Sequence, residues 1–278
     1  SVEIVCMWVC NDAKDNMRIQ SFEENGDAVF TGWSEYLGEF SVLENSNYKV
    51  VGDLIFQGFS NGEKYIASKL VYDPNGNAYG NIMLFKHSLF DGTESVQSWL
   101  RVKQNLNLNS KAYAYSSAYV SNAKGADEDF NITGNTFNMA HIKAGDFDMM
   151  FRSVLFCMNL NANSITQRFL TNGVDTSFDT PITVEGNKVT LDMSASNPAY
   201  RNIEMYMFQD VDDTQLHIYM PTQSFINYFA NLEVVTLLTE GKIDPTDAAA
   251  VAKVYADMEA RVESINVSFV MKAIEPIK

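Results

Sequence analysis

The chain of 278 residues suffices for one large or two small domains, and a chain of that size buries roughly 75% of its unfolded surface without disulfide or metal staples. Its 46% hydrophobic and 12% aromatic content is that of a folded globule rather than a disordered segment. Thirty-five acidic against 20 basic side chains leave a net charge of −15, a field that argues against nucleic acid or anionic lipid as a partner, and no apolar run reaches the ~18 residues of a membrane helix.

The opening "SVEIVCMWVCND" reads as a first strand, with Ile4, Cys6, Trp8 and Cys10 on one face and Val5, Met7 and Val9 on the other. It lacks the basic segment and small-residue cleavage site of a signal peptide, so the expectation is a mature chain or a trimmed one, whose export signal has been removed. Cys6 and Cys10 on one strand would lie ~13 Å apart at ~3.3 Å per residue, too far to bridge each other. Either could meet Cys157, but an odd count at irregular spacing is no disulfide framework, and free buried thiols are expected.

Period-2 alternation then dominates. "KVVGDLIFQGFSNGEKYIASKLVYDPNGNAYGNIMLFKHS" holds three or four strand-length segments punctuated by "SNGE" and "DPNGN". "NLNLNSKAYAYSSAYV" alternates again, and "FNITGNTFNMAHI" and "ITVEGNKVTLDM" each place a Gly-Asn pair between alternating arms, where a tight hairpin wants positive φ. Strands at 8–12-residue spacing point to an antiparallel meander folded into a sandwich or barrel.

Three helices interrupt this pattern. "DGTESVQSWLRVKQ" sets Val96, Trp99, Leu100 and Lys103 at helical spacing behind a Thr93 cap. A second, about 222–239, follows Pro221, with Thr222 as its cap, Phe225, Phe229 and Leu232 on one stripe, and Gly241 as its stop. A third, about 245–262, has Asp244 as cap, Pro245 at the first position, and Val251, Val254, Tyr255, Met258 and Val262 as its apolar face. The strand "INVSFVMKA" closes the chain. The acidic stretch "SNAKGADEDFN" is the best boundary, dividing a β-rich half, 1–125, from a second β half, 126–278. Both halves run through alternating strands to a helix, a pattern compatible with duplication.

Signatures of chemistry are absent. His87, His141 and His217 stand alone, without metal-ligand spacing, and no nucleophile elbow, P-loop or dinucleotide fingerprint occurs. "DPNGN" (Asp73, Asn75, Asn77) opens like a calcium loop but has Leu84 where the twelfth-position acid belongs. The cluster Asp210, Asp212 and Asp213 is explained by the turn it sits in, although an oxygen-rich turn is also a calcium site in outline. The expectation is therefore no metal, no cofactor and no enzyme, with a hydrolase assembled from scattered residues as an alternative. Tyr113, Tyr115 and Tyr119 share one strand parity, which is either a cross-strand aromatic row or a platform for stacking sugar rings.

The most informative unit is the hairpin "IEMYMFQDVDDTQLHIYM". Ile203, Met205 and Met207 share a face with Leu216, Ile218 and Met220, and belong inside; Glu204, Tyr206, Phe208, His217 and Tyr219 form the other face, suited to receiving the helix after Pro221. Met is unbranched and adaptable, so two readings stand: a packed core and a cavity for an apolar ligand. The candidate lining is Met205, Met207, Leu216, Ile218 and Met220, with Phe269 and Met271 from the closing strand.

The "GNKVT" strand, the strand ending in "YMP" ("TQLHIYMPTQSFINYF"), and the helix of "DPTDAAAVAKVYADMEARVESINVSFVMKA" returning into the last strand resemble the uncharacterised lipocalin-like (calycin-like) secreted and surface lipoproteins of gut bacteria. The likeness covers about half the chain as a pattern without a signature motif. It implies a lipocalin-like barrel or two barrel-like halves, and an extracytoplasmic location in the periplasm or on the outer surface. Membrane attachment would come only through a lipidated cysteine upstream; no lipobox is visible in these residues, and the resemblance brings no catalytic residues. The expected fold is thus mainly β, with two to three short helices, two of them near the C-terminus. The expected function is binding of a small hydrophobic or amphipathic molecule in a barrel interior, with a glycan-binding or adhesion module as the competing reading.

Overall fold

A computed structural model of the protein describes residues 4–11, 17–52, 54–59, 65–72, 82–88, 94–109, 112–171 and 173–275. The "DPNGN" turn and the Thr93 cap fall outside these residues. The chain divides into two compact units, residues 1–104 with 210–212, and residues 105–209 with 213–278.

The first unit is a meander of β1 (Cys6–Cys10), β2 (Arg18–Phe22), β3 (Asp27–Ser34), β4 (Glu39–Val51), β5 (Leu54–Phe59), β6 (Tyr65–Tyr72), β7 (Ile82–Ser88) and β8 (Glu94–Val102). Each strand pairs antiparallel with the next, and β8 returns to β1 with Val9 opposite Leu100 and Met7 opposite Val102, closing a barrel. Closure leaves no sheet edge to protect. Trp8, Phe22, Ala28, Ile55 and Trp99 form its core, joined by Ile4 and Cys10 from the predicted inner face of β1. The helix expected over "DGTESVQSWLRVKQ" is instead strand β8. Its apolar spacing suits both periods over so short a run, and pairing with β7 on one edge and β1 on the other decides in favour of the strand.

The second unit is also a closed eight-stranded barrel. Its strands are β9 (Ala112–Gly125), β12 (Cys157–Leu160), β13 (Ser164–Thr171), β14 (Val174–Glu185), β15 (Lys188–Leu191), β16 (Ile203–Gln209), β17 (Gln215–Met220) and β18 (Val262–Ile274), with β18 pairing back onto β9. Two insertions interrupt the meander. Between β9 and β12 come the hairpin β10 (Asp129–Ile132) and β11 (Asn135–Asn138), then helix α1 (Ala144–Ser153); between β17 and β18 come α2 (Thr222–Thr239) and α3 (Ala248–Arg261). Because strands alternate in direction, the end of β9, the start of β12, the end of β17 and the start of β18 lie at one end of the barrel. Both insertions therefore close the same mouth.

The division between units corrects the expected boundary. "SNAKGADEDFN" belongs to the second barrel: β9 runs through Gly125 and pairs with β18 from Ala112 opposite Ile274 to Gly125 opposite Val262. Its polar residues are the partly exposed far half of a barrel strand and the start of a hairpin, not a linker. Gly125 is required there, because a Cβ would collide with the carbonyl oxygen of Arg261 and approach Met139 Cβ at 2.7 Å.

Local signals mostly act as expected. The β14–β15 loop is Gly186-Asn187, with Glu185 opposite Lys188 and Gly186 at φ +63°. In the β10–β11 hairpin the turn falls one residue earlier than the Gly-Asn pair, on Thr133 (φ +50°) and Gly134 (φ +81°). Gly241 (φ +68°) ends α2 as predicted, its N–H donating to Leu238 O at 3.1 Å. Two caps differ. Thr222 spends its hydroxyl on β18, donating to Ile265 O and accepting from Ile265 N, both at 3.0 Å. Helix α3 is capped by Asp247, which accepts from Ala249 N and Ala250 N at 3.1 and 3.0 Å; Asp244 instead holds the preceding turn through Thr246.

Candidate ligand cavity in the second barrel

The interior of the second barrel is a continuous apolar core. The predicted inner face of the β16–β17 hairpin is observed as such: Ile203, Met205, Met207, Leu216, Ile218 and Met220 are all buried in it, with Met207 opposite Ile218 in the hairpin register. The helices complete this core. Phe147 of α1 lies at ring-centroid distances of 5.7–6.1 Å from Phe137 of β11, Phe225 and Phe229 of α2, and Phe269 of β18. Phe151 meets Phe269 edge-on at 5.2 Å and Phe156 in a tilted contact at 5.0 Å. The face of α2 that carries Phe225 and Phe229 thus packs with the interior residues, which corrects the expectation that it would lie over the Tyr206/Phe208/Tyr219 face. On that face Tyr219 donates its hydroxyl to Asn266 Oδ1 at 3.0 Å.

Between the aromatic plug and the strands lies a cavity. Five of the seven predicted lining residues, Met205, Met207, Ile218, Met220 and Phe269, form part of its wall. Leu216 and Met271 do not: they face each other across β17 and β18, two residues beyond the Ile218–Phe269 pair, and are packed in the core. The rest of the wall includes Phe151 and Phe156, Met158 of β12, Ile165 of β13 and Leu191 of β15. Phe151 belongs to α1, which the i, i+3, i+4 spacing of Phe147, Met150 and Phe151 identifies, whereas Met158, Ile165 and Leu191 are brought to the wall by closure of the barrel, which no local pattern shows. The space open to the centre of a water-sized sphere is about 20 Å3. That admits one water, whereas drug-sized ligands occupy sites of ~300–1,000 Å3.

Two polar side chains reach this wall, Gln167 of β13 and Tyr228 of α2. They are 7% and 6% exposed, and the Tyr228 hydroxyl donates to Gln167 Oε1 at 3.1 Å. Burial pushes the Tyr228 phenol well above its ordinary pKa, so it stays neutral. Among the described residues no acceptor meets the Gln167 amide nitrogen. No ionisable carboxylate or cation lines the cavity among these residues; Arg168, next along the strand, is bound to Asp175 on the opposite face.

The tyrosine row does not form a platform. A register shift between Val270 and Met271 puts a bulge in the β9–β18 pairing at Ser116 and breaks the parity of β9. Tyr113 is fully buried and its hydroxyl accepts from Gln209 Nε2 at 3.0 Å. Tyr115 packs on Phe151 at 5.0 Å and donates to Asp148 at 2.9 Å, while Tyr119, 38% exposed, faces outward.

Other candidate groups are dispersed. All three cysteines are free thiols, Cys10 and Cys157 buried, and burial pushes the Cys157 thiol up. His141 is exposed and 3.2 Å from Asp127. His217 is buried, its Nε2 3.2 Å from Gln215 Oε1, and burial lowers its pKa to about 4. His87 is on β7, where its side chain lies outside the described set. Asp213 shapes the β16–β17 turn at φ +58°, and among the described residues no three His, Cys, Asp or Glu side chains converge on a metal position. No helix of the described residues is long and apolar enough to cross a membrane. No protein-family model matches the chain, and no curated protein matches it either.

Proposed function

We propose that the second barrel binds one slender apolar or amphipathic molecule in its interior, and that the chain acts outside the cytoplasm as a lipocalin-like binding protein. The observation that carries this reading is the composition of the cavity wall: methionine, phenylalanine, isoleucine and leucine throughout, with one buried polar pair. Such a wall offers a ligand apolar burial worth ~25 cal/mol per Å2, and Met205, Met207, Met220 and Met158 can change rotamer without branching to obstruct them. With about 20 Å3 free, entry requires these methionines and the aromatic plug to give way, so the bound and free forms differ in packing. The extracytoplasmic placement rests on the sequence resemblance and is tested by cell fractionation of the native source.

The binding test is displacement of a polarity-sensitive fluorescent probe by alkyl chains of graded length, with mass spectrometry of organic extracts from natively purified protein. Saturable displacement and a co-purifying apolar species are expected. No displacement and an empty extract would remove the reading.

A second reading, an adhesion or glycan-contact module, is favoured by the first barrel. Tyr36 is 95% exposed at the β3–β4 turn, and Leu37, Val42 and Leu43 are exposed beside it in sequence. Binding to immobilised glycans that disappears in Tyr36→Ser would support it; a blank array for the wild type would not.

A further inference from the structure

The cavity wall is apolar except at one place, where Gln167 and Tyr228 meet. The Gln167 amide nitrogen borders the cavity, and filling that space with hydrocarbon alone would seal the donor away from water without an acceptor, which is unfavourable. The pair offers a ligand two complementary functions. The Gln167 amide nitrogen can donate to a ligand oxygen. The Tyr228 oxygen, already donating its own proton to Gln167 Oε1, retains lone pairs that can accept one. No cation lines the wall among the described residues, so an ionised head group would be buried without a counter-charge, which is strongly unfavourable.

The geometry points to Gln167 and Tyr228 as the seat of an uncharged head group that both accepts and donates one hydrogen bond: the interior selects a long-chain primary alcohol over an ionised carboxylate or a plain alkane of equal length. The alcohol oxygen accepts from Gln167 Nε2 while its hydroxyl proton goes to Tyr228 Oη, and its chain lies along the methionines. An alkane leaves the Gln167 donor unmet. A carboxylate can accept from Gln167 but has no proton for Tyr228 and no positive partner. This inference rests on the proposed interior binding and adds the ligand's chemical class to it.

The test compares 1-dodecanol, dodecanoate and dodecane, the last delivered in cyclodextrin, as competitors of the fluorescent probe on the full chain at pH 8. The alcohol is expected to displace the probe at concentrations at least about tenfold below either of the others, since one such hydrogen bond to a buried partner is worth on the order of 1.4 kcal/mol. The double variant Gln167→Leu/Tyr228→Phe, which removes both polar ends together and leaves neither orphaned, is expected to bring alcohol and alkane within about twofold of each other. Equal displacement by alcohol and alkane in the wild type, or tighter binding of dodecanoate, would overturn the head-group assignment while leaving interior binding intact. Failure of all three chains would instead remove the binding reading itself. The wild-type ranking alone decides the assignment if the double variant does not fold.

Discussion

The two barrels share an eight-stranded, next-neighbour meander closed by its first and last strands, and differ in what was added to it. The first has no helix among its described residues and gathers its core around Trp8, Phe22 and Trp99. The second carries two insertions at one mouth, and their aromatic side chains drive the core outward from the strands into α1 and α2. The same sheet topology thus supports two kinds of interior. Where loops stay short, cross-barrel side chains do the filling; where they expand into helices, those helices supply the plug and leave the strands' methionines to absorb the mismatch.

That contrast can be broken most severely at the plug. Phe147→Ala removes a fully buried ring that contacts four others, and a loss of roughly 3–5 kcal/mol is expected. All three tryptophans, Trp8, Trp33 and Trp99, lie in the first unit. Denaturation followed by tryptophan emission therefore reports the first barrel, and hydrogen exchange at the amides of β16, β17 and β18 reports the second. A loss confined to the tryptophan signal would contradict the assignment of Phe147 to the second core.

Acid is the next largest perturbation. His217 titrates at about 4 in the fold against an ordinary 6.5. The unfolded chain takes up the proton first, so the stability His217 allows is complete above pH 6.5 and is lost as pH falls towards 4. The loss is on the order of 3 kcal/mol, at ~1.4 kcal/mol per pH unit of separation. Urea midpoints between pH 7 and pH 4 should drop for the wild type and flatten for His217→Gln; an unchanged slope in that variant would exclude His217 as the source.

The β9–β18 seam gives a smaller effect. Gly125→Ala pushes a methyl against the Arg261 carbonyl and should cost roughly 1–3 kcal/mol, read as a lower thermal midpoint. A neutral outcome would mean that the two strands separate at that end without penalty. Smallest of all, Asp247→Ala removes the side-chain cap of α3 and should cost about 1 kcal/mol, whereas Asp244→Ala, outside the helix, should leave helix content unchanged. The reverse order of the two would restore the cap at Asp244.

How legible the molecule was depended on the range of the interaction. The inner face of the β16–β17 hairpin could be read directly, because alternation is a local property and Met205, Met207, Ile218 and Met220 needed only parity to be placed. Gly186 and Gly241 were legible for the same reason: positive φ is decided within a residue or two. The segment of β8 was misread because nine residues fit either period and the partners that decide, β1 and β7, are brought in by closure. Leu216 and Met271 had the right parity, but which inward residues border free space depends on where Phe151, Phe156 and Tyr228 arrive from the helices.

The sequence by itself therefore determined an antiparallel, mainly β protein with two C-terminal helices and an apolar, methionine-rich interior, since strand period, turn chemistry and helix stops are written within a few neighbouring residues. Tertiary structure alone decided that there are two barrels, that β9 belongs to the second, that a bulge opposite Met271 breaks up the tyrosine row, and that Gln167 meets Tyr228 across 61 positions of chain. Each of these follows from pairing between distant segments, where the free energy lies in contacts that no local window contains.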